Sequence, residues 1–155
     1  MTDILNAGDG DIIELPGAHL LMKVAATDTN GRYALLECRN DPGWESELNR
    51  HARDSKTIYV LAGTYTVYLD GRWGTAYPGD TLLIQAGSVH GFRAGPDGGV
   101  ALVIYPGNAA NWFTSPAQSP RHQSFNNPYP NPYPLPDVES LGPLPQRTTC
   151  TPHDG

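Results

Sequence analysis

The chain has 155 residues, 17% of them charged, and a net charge of −6. That length fits one domain whose core can stand without staples. The acidic balance argues against nucleic acid or an anionic membrane surface as partner, since both call for a basic patch.

The opening segment, MTDILNAGDGDIIELPG, is acidic and has no apolar run after a basic start, so it is not expected to act as a secretory signal. No stretch approaches the roughly 18 apolar residues of a membrane span. Cys38 and Cys150 are far apart and form no zinc or redox spacing. Two isolated thiols fit a reducing compartment, and a cytoplasmic protein is expected.

Strand signals then follow in close succession: Asp11–Leu15, His19–Ala25, Tyr33–Arg39, Glu47–His51, Thr57–Leu61, Thr64–Leu69, Arg72–Tyr77, Thr81–Ile84, Val89–Arg93 and Val100–Tyr105. β-Branched and aromatic residues fill several of them. Gly63, Asp70-Gly71, Pro78-Gly79, Ala86-Gly87 and Gly98-Gly99 are expected to turn the chain between strands. TYTVYLDGRWGTAY is a hairpin with an Asp-Gly corner. No useful helix-period stretch appears, so the expected fold is an all-β sandwich or barrel.

The chain divides near Phe113. Ten of the fifteen prolines lie beyond it. Proline has no N–H for a ladder or helix interior, so residues 114–155 are expected to be extended, either disordered or wrapping the barrel or a partner subunit. The repeat NPYPNPYP fits a polyproline-like conformation. Residues 1–113 then make the folded domain.

Two segments carry the chemistry. The first is NRHARDSKTIYVLAGTYTVYLDG, residues 49–71; the second is GDTLLIQAGSVHGF, residues 79–92. Together they resemble the two motifs of the cupin superfamily, over roughly residues 18–113. Gly79, Gly87 and His90 stand at the second motif's spacing, with Gln85 where proline is usual, and Gly63 closes the first motif. TYTVYLDG, the PGD turn and YPGNAANWF are most similar to the quercetinase-like, or flavonol dioxygenase-like, branch. The resemblance implies an antiparallel double-stranded β-helix, or jelly-roll barrel, and a family habit of homodimers.

The resemblance fails at the metal positions. Family sites use three histidines and a carboxylate. Here those positions hold Asn49, His51, Lys56 and His90, so two imidazoles remain beside an amide and an amine. An amide oxygen is a poor donor for a transition metal. A protonated lysine about 5 Å from a dication costs roughly 6–7 kcal/mol at an effective dielectric near 20. Glu47 shares strand parity with Asn49 and His51 and is the carboxylate that would rebuild a His51, His90, Glu47 site for iron, nickel, manganese or copper.

Three readings follow. The first is a cofactor-free enzyme acting on an aromatic or polyketide-like small molecule by isomerisation, cyclisation or elimination. His51 and His90 would serve as general acid and base. Lys56 would steady an anionic intermediate or act as base, and Asn49 would orient a carbonyl. The second is a metal-dependent dioxygenase. The third is a small-ligand-binding protein without catalysis. Tyr59, Phe92, Tyr105 and Trp112 are the expected substrate-pocket residues. His19, His122 and His153 are expected to play no part in the site.

Overall fold

The computed structural model describes residues 3–106 and 138–147. These form nine strands: β1 (Asp11–Leu15), β2 (Ala18–Val24), β3 (Tyr33–Asn40), β4 (Asn49–His51), β5 (Lys56–Leu69), β6 (Arg72–Ala76), β7 (Thr81–Ile84), β8 (His90–Pro106) and β9 (Val138–Ser140). A short 3-10 turn, Ala26–Thr29, links β2 to β3. All strand pairings are antiparallel.

Two long strands organise the molecule. The later half of β8 pairs with β3 and with the first half of β5, and β7 and β2 extend that sheet outward. The early half of β8 pairs with β4 and with the second half of β5, and β6 and β9 extend that one. Two sheets that share bending strands in this way make a double-stranded β-helix, the expected jelly-roll.

The bends correct one expectation. Gly63 and Gly98-Gly99 do not end strands; β5 and β8 run continuously through them with register shifts near Gly63. Gly63 has φ +67° and Gly98 φ +78°. A Cβ on Gly63 would sit 2.1 Å from the Gly98 carbonyl oxygen. Glycine there permits close backbone approach at a corner rather than a reversal. Asp70 (φ +46°) and Gly71 (φ +88°) do form the two-residue loop between β5 and β6, with the positive φ values of a type I′ turn.

Side chains alternate across the strands, and the inward set fills the barrel. One cluster joins Ile58, Val60, Tyr65, Val67, Ala76, Ile84, Phe92, Ala94, Ala101 and Val103. A second, under β1–β3, joins Ile13, Met22, Ala26, Ala34 and Leu36, and Cys38 and Tyr105 pack against both. Asn40 is buried and accepts a hydrogen bond from the Tyr65 hydroxyl at 2.7 Å. No helix among the described residues is long and apolar enough to cross a membrane.

The expected boundary at Phe113 lies outside the described residues, as do Trp112, Cys150, His122, His153 and the NPYPNPYP repeat. From the C-terminal region, β9 pairs with β4, setting Asn49 opposite Ser140 and His51 opposite Val138. Leu144 is buried beyond it.

Candidate functional site

Among the described residues four polar or charged side chains are buried: Asn40, His51, Lys56 and His90. Tyr65 accounts for Asn40. The other three gather inside the barrel from β4, β5 and β8. Parity explains their direction: Asn49 and His51 flank the exposed Arg50 on β4, and Lys56 shares a face with Ile58 and Val60 on β5. His90 opens β8 opposite Leu69 on one side and Asn49 on the other.

The His51 and His90 rings stack with centroids 5.4 Å apart and planes at 29°. Phe92 lies against His90 at 5.7 Å between centroids. The Lys56 Nζ sits 5.2 Å from the Phe92 centroid and 5.3 Å from that of Tyr105. That bracket is a cation–π arrangement, one of the few ways to hold an ammonium in an apolar interior. Phe92 and Tyr105 therefore stand beside Lys56 inside the barrel. Tyr59 does not: it lies between the inward Ile58 and Val60 and is 43% exposed. Its odd, three-residue offset from Lys56 turns it outward.

His90 has no exposed surface. Its Nδ1 lies 3.0 Å from the Ser88 carbonyl oxygen. A carbonyl only accepts, so Nδ1 carries the proton and Nε2 presents a lone pair. That Nε2 is buried without a hydrogen-bond partner. Burial, then the Lys56 charge and less so His51, push the His90 pKa down to about 3, against an opposing pull from the Ser88 carbonyl. The imidazole is neutral near pH 7.

Lys56 is lowered to about 8 by burial. It remains largely an ammonium at pH 7, yet within about a unit of titrating. Cys38 is an uncharged neighbour, its thiol pushed up to about 12 by desolvation. Its alternation with Ala34 and Leu36 on β3 is the signal that points it inward.

Asn49 donates through Nδ2 to the Glu47 carbonyl at 3.2 Å, which leaves Oδ1 buried and unpartnered. The spare end of the amide is an acceptor. The expected role of orienting a carbonyl is therefore replaced by a capacity to take a donor. An unpaired buried acceptor costs about 1–3 kcal/mol, and this site carries two.

Glu47 does not rebuild a metal site. Its carboxylate accepts a hydrogen bond from the Ser140 hydroxyl. β4 begins only at Asn49, so the expected parity does not extend back to position 47. Among the described residues no cluster of three or more His, Cys, Asp or Glu side chains is placed to hold a metal. The inward donors are two imidazoles, an amide oxygen and a mainly cationic amine, a set that does not fit a divalent transition metal.

An antiparallel jelly-roll with paired imidazoles and a buried lysine inside is the architecture these residues define. Residues 37–105 match the family model described as Cupin domain, Cupin_2. It is 32% identical over 91 residues to quercetin 2,3-dioxygenase of Bacillus subtilis, covering 58% of this chain. The chain spans only 27% of that relative's length. Among solved structures it resembles the polyketide cyclase RemF of Streptomyces resistomycificus, with a TM-score of 0.62 and 24% identity over 68% of this chain and 80% of that one. It also resembles KdgF from Halomonas sp., with a TM-score of 0.56 and 20% identity over 68% and 94% of the two chains. At these identities the structural likeness establishes the fold. Named enzymes, among them a dioxygenase, a cyclase and an oxalate decarboxylase, stand among these relatives.

Proposed function

We propose that the protein is a cupin enzyme of small-molecule metabolism that moves protons without oxidation, performing an isomerisation, cyclisation or elimination on an aromatic or polyketide-like substrate. The observation that carries this reading is the neutral, fully buried His90 with its Nε2 lone pair unused beside the buried Lys56.

Such a pair suits enolisation. A substrate carbonyl directed at Lys56 gains a positive neighbour as negative charge develops on its oxygen. The α-proton passes to an imidazole nitrogen. In the empty site His90 is a weak base, because burial and Lys56 oppose a second positive charge. An enolate between the two changes that balance, since an adjacent anion raises an imidazole pKa. Lys56, within about a unit of neutrality, can return a proton to the product. His51, stacked on His90, supplies a second imidazole for the transfer. Phe92 and Tyr105 exclude water and strengthen each of these terms. The same reading takes the protein as a cytoplasmic homodimer that works without a cofactor.

Deuterium wash-in tests the reading. In D2O with EDTA, the protein is expected to accelerate exchange at the α-carbon of an aryl ketone such as 2-hydroxyacetophenone. His90→Gln should reduce the acceleration at least 100-fold, the usual scale of general base catalysis. Exchange that survives His90→Gln unchanged sinks the assignment. The similarity to quercetin 2,3-dioxygenase favours a second reading, a metal-dependent oxygenase. Stoichiometric metal in protein purified without chelator, lost in His90→Ala, would establish that one instead.

A further inference from the structure

Two buried side-chain atoms among the described residues have no hydrogen-bond partner, Asn49 Oδ1 and His90 Nε2. They belong to residues directly opposite each other on β4 and β8. Directly opposed residues hold their side chains about 5 Å apart at Cβ, so one small molecule can reach both. Each atom's character is fixed by the partner its other end already has. Asn49 Nδ2 gives one of its two hydrogens to the Glu47 carbonyl, which sets the amide's orientation, and His90 Nδ1 gives its only hydrogen to the Ser88 carbonyl. What remains is a pair of buried acceptors, Asn49 Oδ1 and His90 Nε2, neither of which receives a hydrogen bond.

We infer that the Asn49–His90 pair is a subsite for two adjacent hydroxyls of one ligand, of the catechol or enediol class, each hydroxyl donating one hydrogen bond. This deepens the proton-transfer reading and rests on it for one point only: which hydroxyl reacts. An amide oxygen is no base, so the hydroxyl held by Asn49 keeps its proton. The hydroxyl held by His90 is the one whose proton moves. Lys56, which shares the Phe92 ring with His90, faces the acceptor end of such a ligand, a carbonyl or ether oxygen beyond the diol. A ligand with donors at one end and an acceptor at the other satisfies the whole polar set.

Calorimetric titration with EDTA present tests this without any turnover. Catechol is expected to bind at least 10-fold more tightly than 2-methoxyphenol, which lacks one donor, or resorcinol, which separates the two. Asn49→Leu should bring catechol down to the level of 2-methoxyphenol and leave 2-methoxyphenol itself unaffected. Asn49→Asp restores an acceptor and should restore the preference, which separates loss of the contact from loss of the fold. Equal affinities for catechol and 2-methoxyphenol in the native protein would overturn the subsite and leave the pair to a single bridging water. So would a preference that persists in Asn49→Leu. Catechol selectivity without deuterium exchange would retain the subsite and sink the catalytic reading; the reverse result would do the opposite.

Discussion

Lys56 is a buried cation in a largely apolar interior. Its amine is buried and held near a pKa of about 8, below the roughly 10.4 of a free lysine. Between those two values the unfolded chain binds a proton that the folded chain does not. Stability therefore rises with pH across that window, by about 3 kcal/mol in all, and the strain is fully present below pH 8. Lys56→Met keeps the stem and removes the charge, so it should raise stability at pH 7 by about 2 kcal/mol while abolishing catalysis. Urea melts at pH 7, 8 and 10 are the check: the native protein should gain stability over that range and Lys56→Met should stay level. Parallel pH dependence in the two proteins would mean the ammonium is not confined. At this scale the sequence was informative wherever motif spacing applied. Asn49, His51, Lys56 and His90 stood at family positions, and three strands bring them together. Tyr59 faces out because an inward Lys56 obliges position 59, an odd number of residues along β5, to point to the other side of the sheet. Glu47 was misplaced because its partner, Ser140, is 93 residues away, and no local pattern announces such a contact.

Among the elements, β4 is the least self-sufficient and carries half of the site. It has three residues and meets β8 at a single register pair. Its other edge is held by β9 over three pairs, and the ladder continues outside the strands: Leu48 N–H donates to the Gly142 carbonyl at 2.9 Å, and Leu141 N–H to the Leu48 carbonyl at 2.8 Å. The Arg50–Glu139 ion pair is exposed at both ends and contributes at most about 1 kcal/mol. The apolar anchor is Leu144, packed so closely over Gly91 that a Cβ there would lie 2.1 Å from Leu144 Cδ1. Leu144→Ala should cost about 2–3 kcal/mol. The loss should be local, appearing as faster amide hydrogen exchange at Leu48 and Leu141 while Val60 and Val103 keep their protection. Uniform acceleration across β5 and β8 would show that the strap is part of the global unit and not a separate brace for the site. The expectation of a segment wrapping the barrel named neither β9 nor its partner strand. Prolines identified the C-terminal region as irregular over most of its length, which suits a strap, but a three-residue strand after such a run has no periodicity to detect. Likewise β5 and β8 were each divided in two, because a glycine at a corner and a glycine in a turn look alike in sequence.

The whole molecule separates two properties that travel together in the family, the barrel that brings four side chains to one place and the donors that hold a metal there. Inward parity on β4 and β5 and the register of β8 are set by the hydrophobic alternation of the entire sheet, which is indifferent to what stands at positions 49 and 56. The barrel of this chain therefore still presents those positions to the interior, and the donor set alone disfavours a dication: Lys56 by charge, Asn49 by weak donation. The double variant Asn49→His/Lys56→Glu supplies three imidazoles and a carboxylate without altering a strand. It is expected to retain about one equivalent of zinc, nickel or iron through gel filtration, while the native protein retains less than about a tenth of an equivalent under the same conditions. Replacing a repelling ammonium by a carboxylate is worth several kcal/mol to the ion, which is several decades in affinity. Asn49→His/Lys56→Gln, with the imidazoles alone, should bind more weakly than the carboxylate variant but above the native level. If both variants keep the native circular dichroism and neither gains metal, the four positions do not converge as the fold requires. If the native protein already carries an equivalent, the lysine has yielded its proton to the metal, and the acid–base reading gives way to the oxygenase.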